Sequence, residues 1–356
     1  MSQIIVRRAT DGTREAWDAF VAARPEADIL QTWAWGEVMA GAGERPARIV
    51  ARGADGRLRG VAQALVRPTT AGRSVLYVPH GPVWEREAAD GDDVLTALLR
   101  GLRTLGREER GIVVKLDPRG DGATDADRQR ILRVFGDTGL RPARHDLQAP
   151  TTRIVDLLDG ADELRKTWDK DARNLFRRAA KEGVETEVQR HADAGCVAAF
   201  HELLEETAER KAFRSHEAAF LETLANALAP AGAWYLALAR KEGRLVAGMV
   251  TLGVADRAFY LYGASSRAPE LRNANGGYAT MGTTMAALAA DGIRTLDLWG
   301  VAEPDDDAPA EWTGFSAFKR RFGGQPVRHL GTFDLVVDRL WYTIRDVRER
   351  LLSSDR

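Results

Sequence analysis

Short apolar runs broken by Gly-containing turns recur along this chain. Between them lie stretches in which apolar residues return every three or four positions. This alternation predicts strands and helices in turn, and hence an α/β fold. Two parts of the pattern match. The first runs through residues 47–52, a turn at Asp55-Gly56-Arg57 and residues 60–66; the second through 234–240, a turn at Glu242-Gly243-Arg244 and 248–252. Both read as β-hairpins. Each leads to an aromatic strand, 75–78 or 258–262, and then to an apolar helix, 94–105 or 278–290. Each helix stops at a Gly-Ile step, Gly111-Ile112 or Gly292-Ile293, into a strand carrying Asp117 or Asp297. Glycine just past a helix explains both stops. Four matches in one order predict an internal duplication of a hairpin–strand–helix–strand unit.

The segment between the copies has another character. Residues 164–181 read as one helix closed by Gly183, with Lys170, Arg173, Arg177 and Lys181 on one face. Four cations with no acid among them are either a solvated face or a contact for a polyanion. A second helix, 194–209, carries Val197, Phe200, Leu203 and Leu204 on its apolar side. Residues 335–352 predict an amphipathic helix through Val336, Leu340, Trp341, Ile344 and Val347.

Length and charge narrow the picture. A chain of 356 residues suits two domains. A net charge of -1 leaves no global positive field for nucleic acid, so a polyanion would have to meet a local basic patch. The single Cys196 excludes an internal disulfide and a multi-cysteine metal site, and its neighbours suggest a buried helix position. No basic, apolar-cored leader and no apolar run near 18 residues is present, which points to a cytoplasmic protein that does not span a membrane.

The candidate chemistry centres on residues 314–324. Lys319 lies among aromatics and before Gly323-Gly324. A cation in such a partly dry place acts more strongly than one in water, as a site for phosphate or for charge developing on a carbonyl oxygen requires. The plain alternative is a turn whose lysine stem packs on phenylalanine.

Taken in order, these pieces resemble the Fem (FemABX) family of peptidoglycan aminoacyltransferases. The matching residues are Gln31-Thr32-Trp33-Ala34-Trp35-Gly36, Lys115-Leu116-Asp117-Pro118, the basic run 173–184, Glu206-Thr207-Ala208-Glu209-Arg210 with Phe213, Tyr260-Leu261-Tyr262-Gly263, Asp297-Leu298-Trp299-Gly300-Val301 and Phe318-Lys319-Arg320-Arg321-Phe322-Gly323-Gly324. The resemblance implies two tandem acetyltransferase-like (GNAT-like) domains: residues 1–150 completed by 325–356, and residues 151–324. The long helical arm of some members is missing, so the chain is similar to the compact type. The implied activity moves an amino acid from aminoacyl-tRNA to an amine of a peptidoglycan precursor's stem peptide, without metal or organic cofactor. The implied partners are the tRNA, a lipid- or UDP-linked precursor, and the inner membrane face as a peripheral contact. Lys319 matches the lysine that steadies the reacting carbonyl or the donor's phosphate end. Arg210 matches an arginine that holds the acceptor's phosphate, Asp117 an acid proposed as base. Tyr260, Tyr262, Phe318 and Trp35 would line the substrate groove, and Lys170, Arg173, Arg177 and Lys181 would meet tRNA or phosphate. Where members with nucleotide-linked acceptors can carry a lysine, this chain has Met39, which leaves a lipid-linked acceptor open. Asp117 also reads as a turn-capping strand-end residue.

A second reading is an acyl-CoA-dependent N-acyltransferase acting on a sugar, lipid or peptide amine. Its nearest phosphate loop is Arg272-Asn273-Ala274-Asn275-Gly276-Gly277, off by one in spacing from the usual form. A third is a duplicated fold that binds without catalysis.

Overall fold

A computed structural model describes residues 3–120, 124–157, 160–211, 217–266, 268–271, 273–306 and 312–354, with side chains for all of these but 70, 161, 209–211 and 351–354. The strands, in chain order, are β1 (Ile5–Arg8), β2 (Arg45–Arg52), β3 (Leu58–Pro68), β4 (Ser74–Val78), β5 (Val83–Trp84), β6 (Gly111–Leu116), β7 (Leu140–Pro142), β8 (Thr151–Asp156), β9 (Val184–Gln189), β10 (Trp234–Lys241), β11 (Arg244–Val254), β12 (Arg257–Ser265), β13 (Thr295–Asp297), β14 (Gln325–Arg328) and β15 (Phe333–Val336). The helices are α1 (Arg14–Ala22), α2 (Trp33–Gly41), α3 (Gly91–Glu108), α4 (Asp125–Asp137), α5 (Gly160–Thr167), α6 (Lys170–Lys181), α7 (Ala194–Lys211), α8 (Ala218–Leu228), α9 (Gly276–Ala290), α10 (Trp312–Arg320) and α11 (Arg339–Ser354). They form two compact units, Met1–Pro150 with Arg328–Arg356, and Thr151–Val327.

Each unit is built on one sheet. The first runs β1-β2-β3-β4-β6-β15-β7, with β5 added beside β3; the second runs β9-β10-β11-β12-β13-β8-β14. The orders correspond strand for strand, so the duplication read from the sequence is present in the fold. In each, the second and third strands form the antiparallel hairpin. The fourth and fifth, β4 with β6 and β12 with β13, pair in parallel. A helix joins each parallel pair, as parallel strands require. The sixth place departs from chain order. Simple duplication would put β8 after β7 in the first sheet and β15 after β14 in the second. Instead β15 lies between β6 and β7, and β8 pairs with β13. The two strands are exchanged.

Packing follows the patterns that make the elements. On α3, Val94, Leu95, Leu98, Leu99, Leu102 and Leu105 are all buried in the first core. Burying such a side chain stabilises by roughly 1.5–3 kcal/mol. On α9, Met281, Met285 and Leu288 enter the second core. Gly282 lets Phe176 approach so closely that a Cβ would lie 2.5 Å from its ring.

The single helix expected over 164–181 is two. Asp169 caps α6, its carboxylate accepting from the Ala172 N–H at 2.6 Å. The Arg173 guanidinium closes α5 by donating to the carbonyls of Lys166 at 3.1 Å and Trp168 at 2.6 Å. An N-cap aspartate and buried Trp168 outweigh the helix propensity of the run.

Candidate active site

The turn after β13 is shaped by Asp297, whose Oδ1 accepts from the Thr152 hydroxyl and from the Trp299 N–H at 2.7 Å. Trp299 takes φ +51° and Gly300 φ +20°. A bulky side chain rarely adopts this conformation, and such residues persist where the surroundings fix them. The turn presents two carbonyls to Lys319 in the last turn of α10. Lys319 Nζ donates to Trp299 O at 2.9 Å and Gly300 O at 3.3 Å. It also stands 4.7 Å from the centroid of the Tyr260 ring and 5.2 Å from that of Phe315. Lys319 is only 9% exposed. Two oriented carbonyls and two aromatic faces hold the ammonium where water screens it little.

Tyr260 and Phe315 both line a cavity of about 420 Å³ in the second unit. The strand register of β12 against β11 shifts at Leu261, so Tyr260 and Tyr262 pair with successive residues Thr251 and Val250. Gly263 is required here, since a Cβ would fall 1.9 Å from Tyr260 Oη. Burial pushes the Tyr260 phenol up to about 12, so it stays a neutral donor at physiological pH. The opposite wall is the start of α9, where Asn275, at φ +58°, Gly276 and Gly277 face the space. The first N–H groups of a helix favour an anion.

The other residues singled out by sequence fall in several places. Phe318 lines the same cavity and packs edge-on against Tyr278, ring centroids 5.2 Å apart. Tyr262 lies further along β12, outside that lining, its phenol raised by burial. Arg210 is in α7, and its side chain is outside the described residues, as is Phe213. On α6, Arg173 is drawn into closing α5, and Arg177 donates to Arg173 O at 3.2 Å and to Asn174 Oδ1 at 2.9 Å. Lys170 and Lys181 are exposed. Cys196, half-buried near the start of α7, has its thiol pushed up by burial, which suppresses the thiolate.

Trp35 and Asp117 belong to the first unit. Trp35 is buried in α2. Asp117, at the end of β6, is 3% exposed and accepts from the Tyr77 hydroxyl and from the His80 N–H, each at 2.7 Å. Burial raises its carboxyl to about 6, against the pull of His80 and Tyr77. Beside it lies a cluster that the sequence reading did not single out. Asp28 Oδ2 meets His80 Nδ1 at 2.8 Å and Arg119 Nη1 at 2.6 Å. Burial opposes the Asp28 charge, but His80 and Arg119 hold it well below the usual carboxylate range. The signal was present as polar residues just past two parallel strands, His80 after β4 and Arg119 after β6. Phe315 and Trp299 were also missed as neighbours of Lys319. Trp299 reaches Lys319 through an αL backbone that sequence spacing does not reveal, whereas Phe315 lies four residues before Lys319 on α10, a spacing that could have found it.

Among the described residues no group of three or more His, Cys, Asp or Glu side chains could hold a metal ion, and no helix is long and apolar enough to cross a membrane.

The FemAB family model matches residues 13–241, and a model of the acetyltransferase (GNAT) domain matches 165–320. The relatives include lipid II:glycine glycyltransferases of Staphylococcus aureus, among them those of strains RF122 / ET3-1 and MRSA252. Each is 25% identical to this chain, with 96% of both chains covered. Among solved structures, the chain is similar to a crystal structure of FemX, with a TM-score of 0.83, 22% identity and 96% of this chain and 99% of that one covered. It is also similar to a tandem GNAT protein from the clavulanic acid biosynthesis pathway, with a TM-score of 0.58, 13% identity and 94% and 99% covered. These structural likenesses establish the tandem acetyltransferase-like fold.

Proposed function

The chain belongs to the FemAB family, and on that premise we propose that it transfers an amino acid from aminoacyl-tRNA to an amine of a peptidoglycan precursor. The related glycyltransferases are named for lipid II, which supports a lipid-linked acceptor, in keeping with Met39. The donor ester is already activated, so the chemistry needs no cofactor. The acceptor amine attacks the ester carbonyl, a C–N bond forms and the C–O bond to the ribose breaks. The amine gives up a proton and the released ribose oxygen takes one.

One observation carries this reading: a desolvated, doubly anchored ammonium stands beside a cavity opened by a helix N-terminus. Negative charge grows on the carbonyl oxygen as the amine attacks. A cation already fixed stabilises that charge without reorganising. Tyr260 and Phe315 hold Lys319 there, and the first turn of α9 suits the phosphate at the donor's end. Arg210 is assigned by resemblance to the acceptor's phosphate, which an arginine can grip with two parallel bonds. Asp117, enclosed by Tyr77 and His80, is assigned a structural role.

The same α9 start would also seat the pyrophosphate of an acyl-CoA, the basis of a second reading. The test is incubation with a mixed aminoacyl-tRNA pool and lipid-linked precursor, in parallel with acetyl-CoA and the same acceptor, with mass spectrometry of the products. A precursor heavier by one amino-acid residue, formed only with the tRNA pool, is expected. Acetylated product alone would replace the proposal with the second reading.

A further inference from the structure

The C-terminal helix α11 does not bury the apolar stripe that its sequence predicts. Trp341 packs beside Val75, Ile112 and Val113, and the Tyr342 hydroxyl donates to Asp334 at 2.8 Å. Leu340, Ile344 and Val347, at one face by their spacing of four and three, are instead 68%, 49% and 49% exposed. With Leu147 at 43%, they make up four of the six large apolar side chains exposed among the described residues. Ile344 and Leu147 also open a groove of about 530 Å³ floored by Val75, Ile112 and Trp341. Soluble proteins seldom gather exposed apolar groups in this way without a use for them.

The charges around the stripe are sorted. At 100° per residue, Arg348 borders it on one side, and Arg339 and Arg350 on the other. The two acids of α11, Asp346 and Glu349, lie off the stripe and are each paired with arginine, mostly within the helix. Asp346 meets Arg350 at 2.6 Å and Arg144 at 3.7 Å, and Glu349 meets Arg345 at 2.7 Å. An apolar stripe between arginine borders, with its acids paired to arginines, complements a surface that is apolar below and negatively charged above. An anionic bilayer is such a surface.

We propose that the outward face of α11 docks this protein on an anionic lipid bilayer, with Leu340, Ile344 and Val347 entering the headgroup boundary and Arg339 and Arg348 meeting lipid phosphates. The inference draws its purpose from a lipid-linked acceptor, as proposed above, but it stands on the helix itself. Docking would confine the enzyme to the plane in which such an acceptor diffuses.

The full-length protein is floated with vesicles of phosphatidylcholine alone and of phosphatidylcholine with phosphatidylglycerol, neither containing precursor. Binding to the anionic vesicles and little to the neutral ones is expected, weakening as salt rises. The triple variant Leu340→Ser, Ile344→Ser, Val347→Ser should bind about tenfold or more weakly with its melting temperature kept, because these side chains are exposed. Arg339→Gln with Arg348→Gln should erase the preference for anionic lipid. Vesicle binding unaffected by both variants would overturn the proposal. So would absent vesicle binding, whether or not light scattering shows a dimer that the triple variant dissolves. Transfer to a detergent-dispersed acceptor is assayed alongside. Its failure would count against the proposed reaction, and its success without vesicle binding against the docking alone.

Discussion

The two units share a strand order but differ where their parallel strands end. In the first, the ends of β4 and β6 are sealed. Asp117 joins them by accepting from Tyr77 and His80, and Asp28, His80 and Arg119 fill the space beyond. The inserted β5 pairs with β3 through Gly60, and Trp84 lies where a Cβ on that glycine would meet it at 3.1 Å. The start of α3 is covered too, since a Cβ on Gly91 would strike the Arg86 carbonyl at 2.7 Å. In the second unit Val246 and Gly248 of β11 and the start of α9 line the cavity of about 420 Å³, although Cβ atoms on Gly248 and Gly276 would also meet Phe200 at 2.5 Å and Val246 at 2.7 Å. One copy of a duplicated scaffold thus has a buried polar plug, and the other a cavity whose lining rings Tyr260 and Phe315 stand against a fixed cation, Lys319, that is itself outside the lining. Where an acid or a lysine sits in the fold does not decide its role; access does.

The largest effect should come from the cation. Lys319→Met keeps the stem and deletes the charge, and turnover should fall about a hundred- to a thousandfold, or about 2.7–4 kcal/mol of barrier. Single-turnover rates beside thermal melting would read this. Near-normal turnover would leave the second cavity without its proposed chemistry.

Asp117→Asn tests the sealed copy. The folded carboxyl, at about 6, lies above its ordinary 3.8, so between these values the native state binds more protons than the unfolded state. Its contribution is therefore fully present below pH 4 and declines as pH rises through 6. The stability advantage of wild type over the variant should shrink by about 3 kcal/mol across that window, with turnover near normal. Denaturant melts at several pH values would show this slope. Turnover lost at full stability would make Asp117 catalytic and break the contrast.

Smaller effects should sharpen the second site. Gly263→Ala forces Tyr260 Oη away from a new methyl group, at a cost of roughly 1–3 kcal/mol in stability, and turnover should fall with it. Tyr260→Phe retains the ring that faces Lys319 and should change turnover by less than about threefold. A much larger loss would give the hydroxyl its own part in the reaction.

Local pattern revealed the hairpins, since alternating apolar residues and Gly turns are written next to one another. Sheet membership of β8 and β15 was not local and could not be read that way, because a strand's pattern names its buried face but not its partner. The break at Trp168 was signalled by Asp169, a residue type that caps helices, yet the basic run around it looked continuous. Lys319 was legible as a shielded cation. Its anchors were not, because they are backbone carbonyls of a turn whose shape Asp297 sets. The helix expected over 335–352 is corrected at its start: Leu335 and Val336 belong to β15, α11 starts at Arg339, and the side it turns to solvent depended on Trp341 and Tyr342 finding the sheet first.

The exchanged strand also sets a timetable. A ribosome that has finished β7 has still to make about 190 residues before β15, roughly 10–40 s at ~5–20 residues per second. Until then β6 and β7 lack the strand that belongs between them, while the second unit receives β8 before any of its other strands. The unit begun first is thus finished after the second, and during every round of synthesis its unpaired edges wait for Phe333–Val336 to emerge.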